Sequence, residues 1–303
     1  MSNQPVIARS RFSDGISWLT DGANLLAHGG PALLRVAVVF LVISLIQIVP
    51  MIGPLLLVLI SPALSAGLIN TFRAVQQGQA PGPETLLAGL TDCAVRTRLL
   101  ALGVFFMLGS LAAVLVMFGW LSPQMDLAAF FEAVGDPEVM ENHPERVAAM
   151  LEGVSLFGGL ALTAIVLALV LGALYFAVPL VFFWRWPVLA ALLFSVRAVL
   201  TNWMAFLGFG LVVLGVLFLI GMLFGLLAGL FALALGAMGG FLSQLLMIVV
   251  ALFVQFLLAA AQWRAFIQVF PAGPGGGGSG PADAQDGNQP DGSSGDPPDR
   301  FEV

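Results

Sequence analysis

PALLRVAVVFLVISLIQIVPMIGPLLLVLISPALSAGLINTFR, residues 31–73, holds two apolar runs joined by a short turn and closed by an arginine. The runs, about Pro31 to Val49 and about 54–72, each approach the ~20 apolar residues that cross a bilayer core as a helix. Pro50-Met51-Ile52-Gly53-Pro54 between them has room only to reverse the chain. The stretch therefore reads as a transmembrane hairpin. Its one embedded charge, Arg35, lies a turn inside the first span and can snorkel to the surface.

Working outward, further apolar runs at about 99–121, 153–184, 204–235 and 241–263 bring the spans to six. The whole chain, 303 residues at 59% hydrophobic and 9% charged, lies outside the globular range. The expected fold is all-α, a polytopic membrane helical bundle of six transmembrane helices with interfacial amphipathic helices. Residues 1–30 form an N-terminal segment, 31–270 the membrane domain with an acidic loop at 122–152, and 271–303 an acidic tail. That tail is Gly, Pro, Ser, Asp and Asn, which cannot bury enough apolar surface to order, so disorder is expected there. The runs at 153–184 and 204–235 exceed one bilayer core and predict tilt or protruding ends.

Charge sets the expected topology. Arg9, Arg11, Arg35, Arg73, Arg96, Arg98, Arg185, Arg197, Arg264 and Arg300 fall in alternate gaps or at the termini, and only Arg146 falls between. Basic residues near span ends stay cytoplasmic, so both termini are expected inside. Trp18, Trp184, Trp186, Trp203 and Trp263 would mark the inner interface and Trp120 the outer one. The polar first thirty residues leave no room for a cleavable signal peptide, which makes the first span an uncleaved anchor.

Two segments read as interfacial helices. Phe12, Ile16, Leu19, Ala23 and Leu26 make one apolar stripe, with Ser13 as N-cap and His28-Gly29-Gly30-Pro31 as the stop. Its polar face carries Asp14 and Asp21 rather than cations, so packing on the protein itself is expected rather than on anionic lipid. Pro187 to Asn202 places Leu189, Leu192, Val196, Val199 and Leu200 opposite Arg197. It is either a separate helix, as the Pro187 break favours, or the end of a longer one. A parallel repeat, helix–span–turn–span, would match Arg73 with Arg264; any helical hairpin closed by arginine would look the same.

The composition excludes much chemistry. Without lysine there is no Walker A motif and no Schiff base, and the tail glycines are not a phosphate loop. Cys93 is the single cysteine, and the topology separates His28 from His143. No carboxylate lies in any span, which argues against proton coupling. Asp136, Glu138, Glu141, His143, Glu145 and Glu152 offer oxygen ligands in the loop. Two short helices starting at Ser122-Pro123 and Asp136-Pro137, with Leu127, Phe130, Phe131 and Val134 on one side, are the simpler expectation. No catalytic residue, cofactor, metal or nucleic-acid partner is expected.

Candidate sites inside the bilayer are polar or small. Gln244, Gln255 and Gln262 share a helical face, with Gln47 and Ser44 on the first span. They read either as interhelical hydrogen bonds or as a path for a small neutral solute. Gly221, Gly225 and Gly229 form a GxxxGxxxG face, and Ser155, Gly159 and Thr163 a similar one. These suit close helix packing, within one bundle or at a homodimer seam. Arg73, Arg96, Arg98, Arg185, Arg197 and Arg264 are the cations placed to meet lipid phosphates.

The blocks Gly15-Ile16-Ser17-Trp18-Leu19-Thr20-Asp21-Gly22, Val49-Pro50-Met51-Ile52-Gly53-Pro54, Ser61-Pro62-Ala63-Leu64-Ser65-Ala66-Gly67-Leu68 and Ser195-Val196-Arg197-Ala198-Val199-Leu200-Thr201-Asn202-Trp203 carry a resemblance. Over roughly residues 10–270 the chain resembles a proteobacterial family of uncharacterised multi-pass inner-membrane proteins. A similar hairpin occurs in the membrane portion of some glycerophosphodiester phosphodiesterases, whose catalytic domain has no counterpart here. The resemblance implies topology and location and brings no substrate. The functional expectation is a non-catalytic scaffold or envelope-assembly component, with lipid, a membrane protein or a second copy as partner. The alternative is a passive or facilitated transporter using the glutamine face.

Overall fold

A computed structural model describes residues 7–271. The expected disordered tail, with Arg300, lies outside the described residues. Within them the chain is helical throughout. Helix α1 spans Phe12–His28, α2 Gly30–Ser44 with a 3-10 extension Leu45–Ile48, and α3 Ile52–Gln76. Then come α4 Pro83–Thr91, α5 Cys93–Leu121, α6 Leu127–Gly135, α7 Pro137–Asn142 and α8 Pro144–Leu151. Helices α9 Leu156–Trp184, α10 Val188–Thr201, α11 Trp203–Leu235 and α12 Ala237–Val269 complete the order. Six of these, α2 with its extension, α3, α5, α9, α11 and α12, are long and apolar enough to cross a membrane. The protein is a multi-pass membrane protein. The side of the bundle holding Ile7 and Phe270 is called here the terminal side, and the side holding α6–α8 the loop side.

The deciding hairpin turns at Met51, which takes φ +61, strained for a residue with a side chain. The Ile52 amide donates to the Pro50 carbonyl and the Gly53 amide to that of Val49. A Cβ on Gly53 would collide with the Ile46 carbonyl, so glycine is what lets the two spans turn this tightly.

The helices follow one arrangement three times. A short helix on the terminal side leads into an outgoing span, which is followed by a returning span: α1–α2–α3, α4–α5–α9 and α10–α11–α12. Each short helix packs on the returning and outgoing spans of the preceding copy. Thus α4 lies on α3 and α2, and α10 on α9 and α5. The ring closes because α1 lies on α12 and α11. The three returning spans touch one another at the centre, with Phe72 edge-on to Phe256 and Phe183 stacked on Phe266. Each returning span carries an aromatic–arginine pair toward its terminal-side end: Phe72-Arg73, Trp184-Arg185 and Trp263-Arg264. The two outer copies are the ones the sequence hinted at. The middle copy is hidden because α6–α8 are inserted in its turn.

Small residues make the short helices fit. A Cβ on Gly15 would strike the Ala205 carbonyl of α11, and one on Gly22 the backbone of Ala261 in α12. Against α3, Gly67 rests on the Leu86 carbonyl and Gly89 rests on the Ala63 carbonyl. Backbones approaching this closely gain dispersion contacts, which drive helix association in lipid where apolar surfaces gain nothing from leaving water.

Several sequence expectations need correction. The buried stripe of α1 is Gly15, Trp18, Leu19 and Gly22, whereas Phe12 and Ala23 are exposed. Its N-cap is Arg11, not Ser13, and the Asp14 carboxylate accepts the Arg11 amide at 2.6 Å. In α10, a separate helix, Ala191, Leu192, Ser195 and Ala198 are buried while Leu189 and Leu200 face outward. In both helices small residues share the buried face with a few large ones, Trp18, Leu19 and Leu192, while Phe12, Leu189 and Leu200 face out. Trp18 and Trp263 are core residues rather than interface anchors: both are fully or almost fully buried, and their indoles donate to Gln268 and Gln76. On the loop side, Ser122 ends α5 instead of starting a helix, and Asp126 caps α6 by accepting the amides of Ala128 and Ala129. Pro144 opens a third short helix.

Candidate functional site

The sequence candidates separate by location. Gln262, on α12, donates through Nε2 to the Tyr175 carbonyl of α9 at 2.5 Å and accepts from Ser65 Oγ of α3 at 3.5 Å. That carbonyl is free for a reason: Pro179, four residues on, has no amide hydrogen to donate to it. Pro62 frees the Val58 carbonyl in the same way, and Ser61 Oγ takes it at 2.8 Å. Gln262 is therefore the hydrogen-bond partner of a proline interruption where the returning spans meet. Gln47, Gln244 and Gln255 are exposed on α2's extension and α12 and do not converge with it. Ser44 Oγ turns back onto the Phe40 carbonyl of its own helix. Replacing Gln262 by leucine orphans the Tyr175 carbonyl and should cost about 1–2 kcal/mol of stability. Gln255→Leu, at an exposed position, should cost close to nothing. Thermal unfolding of both variants in one detergent checks the difference.

The two small-residue faces differ in use. On α9, Gly159 and its neighbour Gly158 receive the Trp120 ring of α5. Trp120 Nε1 donates to the Ser155 carbonyl at 2.7 Å, and Gln124 Oε1 accepts the Ser155 amide at 2.8 Å. Thr163 lies a turn further in, its Oγ1 buried without a partner. This face seats a neighbouring helix of the same chain. On α11, nothing among the described residues lies within 4 Å of a Cβ built at Gly221, Gly225 or Gly229. Packing within the bundle, the first reading of that face, is thus not what the structure shows. This glycine face of α11 therefore points away from the other spans.

The arginines also divide. Arg73 lies over the Phe183 ring, 5.2 Å from its centroid, with its Nε buried and without a partner. Arg98 donates to the Arg185 carbonyl, and Arg185, in the left-handed conformation at the end of α9, pairs with Asp92 at 3.7 Å. Arg264 pairs with Asp21 of α1 at 3.0 Å, so the acid on the α1 polar face serves to dock that helix. Arg96 and Arg197 are exposed on the terminal side, with no ion pair among the described residues. At the loop, Asp136 caps α7 by accepting the Glu138 amide. Glu145 is held below the usual carboxylate range, first by the backbone at the start of α8 and then by His143 at 3.1 Å. Among the described residues no three His, Cys, Asp or Glu side chains converge on a metal position.

Two of the cavities among the described residues lie between helices distant in the chain, which is why no local sequence pattern shows them. One, about 350 Å³ on the terminal side, is lined by Asp21, Asn24, His28, Gln76 and Arg264 among others. The other, about 440 Å³, is wholly apolar and opens sideways between α2 and α12. Comparison with known proteins finds no matching family model, no matching curated protein and no matching solved structure.

Proposed function

We propose that the chain is a non-catalytic membrane component, a scaffold or assembly factor of the bacterial inner membrane, with the terminal side facing the cytoplasm. The observation that carries this reading is the filled centre. The three returning spans meet through Phe72, Phe176, Phe256, Phe266 and Phe270, all fully or almost fully buried. Of the polar groups at that level, Gln262, Ser65, Thr71 and Ser195 are spent on helix–helix and backbone bonds, and the Tyr175 hydroxyl is buried without a partner among the described residues. What the protein offers outward is its terminal side, with the exposed cations Arg96 and Arg197 and the cavity beside Arg264. An anionic leaflet attracts each juxtamembrane arginine by about 1 kcal/mol.

Photo-crosslinking amino acids at Arg96 and Arg197 test the reading in living cells. A reproducible protein or lipid adduct is expected, absent from a probe at Leu233 on α11. Adduct patterns indistinguishable from the Leu233 control would sink it. Saturable uptake of a small neutral solute by vesicles holding the purified chain, lost in Gln255→Leu, would instead establish the transporter alternative.

A further inference from the structure

The seam between an outgoing span and the returning span of the copy before it is shut at one place and open at another. Between α5 and α3 it is closed: Gly103 lies on the Leu59 carbonyl, and Leu99 and Leu102 are fully buried. Between α2 and α12 the same seam holds the 440 Å³ apolar cavity, lined by Leu33, Val38, Leu41, Leu252, Phe253 and Phe256 among others. Toward the terminal side the polar cavity comes next along α1 and α12. On α1, Leu26 lines the apolar space and its neighbour Leu25 the polar one. On α12, Phe256 and Arg264 are eight residues apart, roughly 12 Å along the axis. An apolar slot ending in a polar socket at the bundle rim has the shape of a lipid with its headgroup.

The polar groups specify which headgroup. Arg264 uses Nη2 on Asp21 and keeps further N–H donors. Gln76 has its carbonyl oxygen fixed by the Trp263 indole at 2.6 Å, which leaves its amide NH2 as the free group. Guanidinium and amide together suit a phosphodiester. On the other side, the Asp21 carboxylate accepts hydrogen bonds. The His28 Nδ1 donates to the Asn24 carbonyl at 2.6 Å. The carboxylate suits a primary ammonium. Asp21 and Arg264 form a one-to-one ion pair whose charges cancel, so the socket matches a zwitterion.

We propose that the α2–α12 seam and the Asp21–Arg264 socket bind one glycerophospholipid with a phosphoethanolamine headgroup, an acyl chain filling the seam. The proposal rests on the non-catalytic reading above and names lipid as a partner of that face. The test is native mass spectrometry of the full chain released from vesicles of equal phosphatidylethanolamine, phosphatidylglycerol and phosphatidylcholine. The expected result is one retained phosphatidylethanolamine, favoured at least tenfold over phosphatidylglycerol. Arg264→Gln should reduce retention at least tenfold. Val38→Trp, on an exposed position that fills the seam without touching the socket or the fold, should do the same. Equal retention of the anionic lipid, or undiminished retention in Val38→Trp, overturns the site. Displacement of the lipid by millimolar glycerophosphoethanolamine, which lacks acyl chains, would assign the socket to a soluble headgroup and also overturn it. Crosslinks at Arg96 and Arg197 report on the broader reading independently.

Discussion

Replacing Gly22 by leucine should release α1 from the bundle while leaving the six spans in place. The contact it breaks is backbone on backbone: a side chain there must enter the space of Ala260 and Ala261, which α12 cannot vacate. Gly15 repeats the contact against Ala205 two turns earlier, so α1 has no way to rotate out of the clash and stay docked. Overpacking alone costs about 1–3 kcal/mol. Undocking also exposes Trp18, now fully buried, and breaks its bond to Gln268 and the Asp21–Arg264 pair. A total on the order of 3 kcal/mol shifts the docking equilibrium by roughly a hundredfold. Hydrogen exchange should read this as a rise of that size confined to residues 12–28, with α3 and α9 unchanged. Ala23→Leu, on the exposed face of the same helix, is the matched control. Equal protection in the two variants would mean that α1 is held by something other than the glycine contacts.

That pair of positions also explains what the sequence could and could not show. The spans were legible because length and hydropathy decide them: the expected 31–49 is Gly30–Ile48, and the expected 204–235 is Trp203–Leu235. Helix stops at His28 and the break at Pro187 were legible from residues that cannot continue a helix. Which face turns inward was not, because the apolar-stripe rule assumes water outside. With lipid outside, large side chains such as Phe12, Leu189 and Leu200 lose nothing by facing it. The inner face instead includes Gly15, Gly22, Ala191 and Ala198, beside Trp18, Leu19 and Leu192, because backbones can touch at the small residues. For Gln262 an interhelical hydrogen bond was one of the two readings and is the one the structure holds, but its partner was not legible: Pro179, 83 positions earlier in the sequence, decides what it bonds to. The two cavities depend on α1, α2, α3 and α12 meeting, and no local pattern encodes that.

Ser195 should show the largest split between two substitutions at one position. Its hydroxyl, from α10, donates to the Gly172 carbonyl at 2.8 Å and accepts the Phe176 amide at 2.9 Å. Those two groups are four residues apart on α9, the pair that an uninterrupted helix would bond directly. The serine thus stands in the ladder of a returning span, just before the proline break that Gln262 bridges from the other side. Alanine removes the hydroxyl and the space-filling oxygen together, so α9 can close its own bond and the cost should be about 0.5–1.5 kcal/mol. Leucine keeps the helices apart while offering no partner, leaving a buried N–H and C=O unsatisfied at about 1–3 kcal/mol each, with overpacking against the α9 backbone added. Ser195→Leu should therefore fail to accumulate or unfold many degrees lower, whereas Ser195→Ala should remain folded. Unfolding of Ser195→Ala combined with Gln262→Leu sharpens the test, since both bridges act on α9 between Gly172 and Pro179. Their effects should be non-additive, with a coupling of at least about 0.5 kcal/mol. Strict additivity would mean that the two bridges hold separate pieces of the bundle rather than one broken helix.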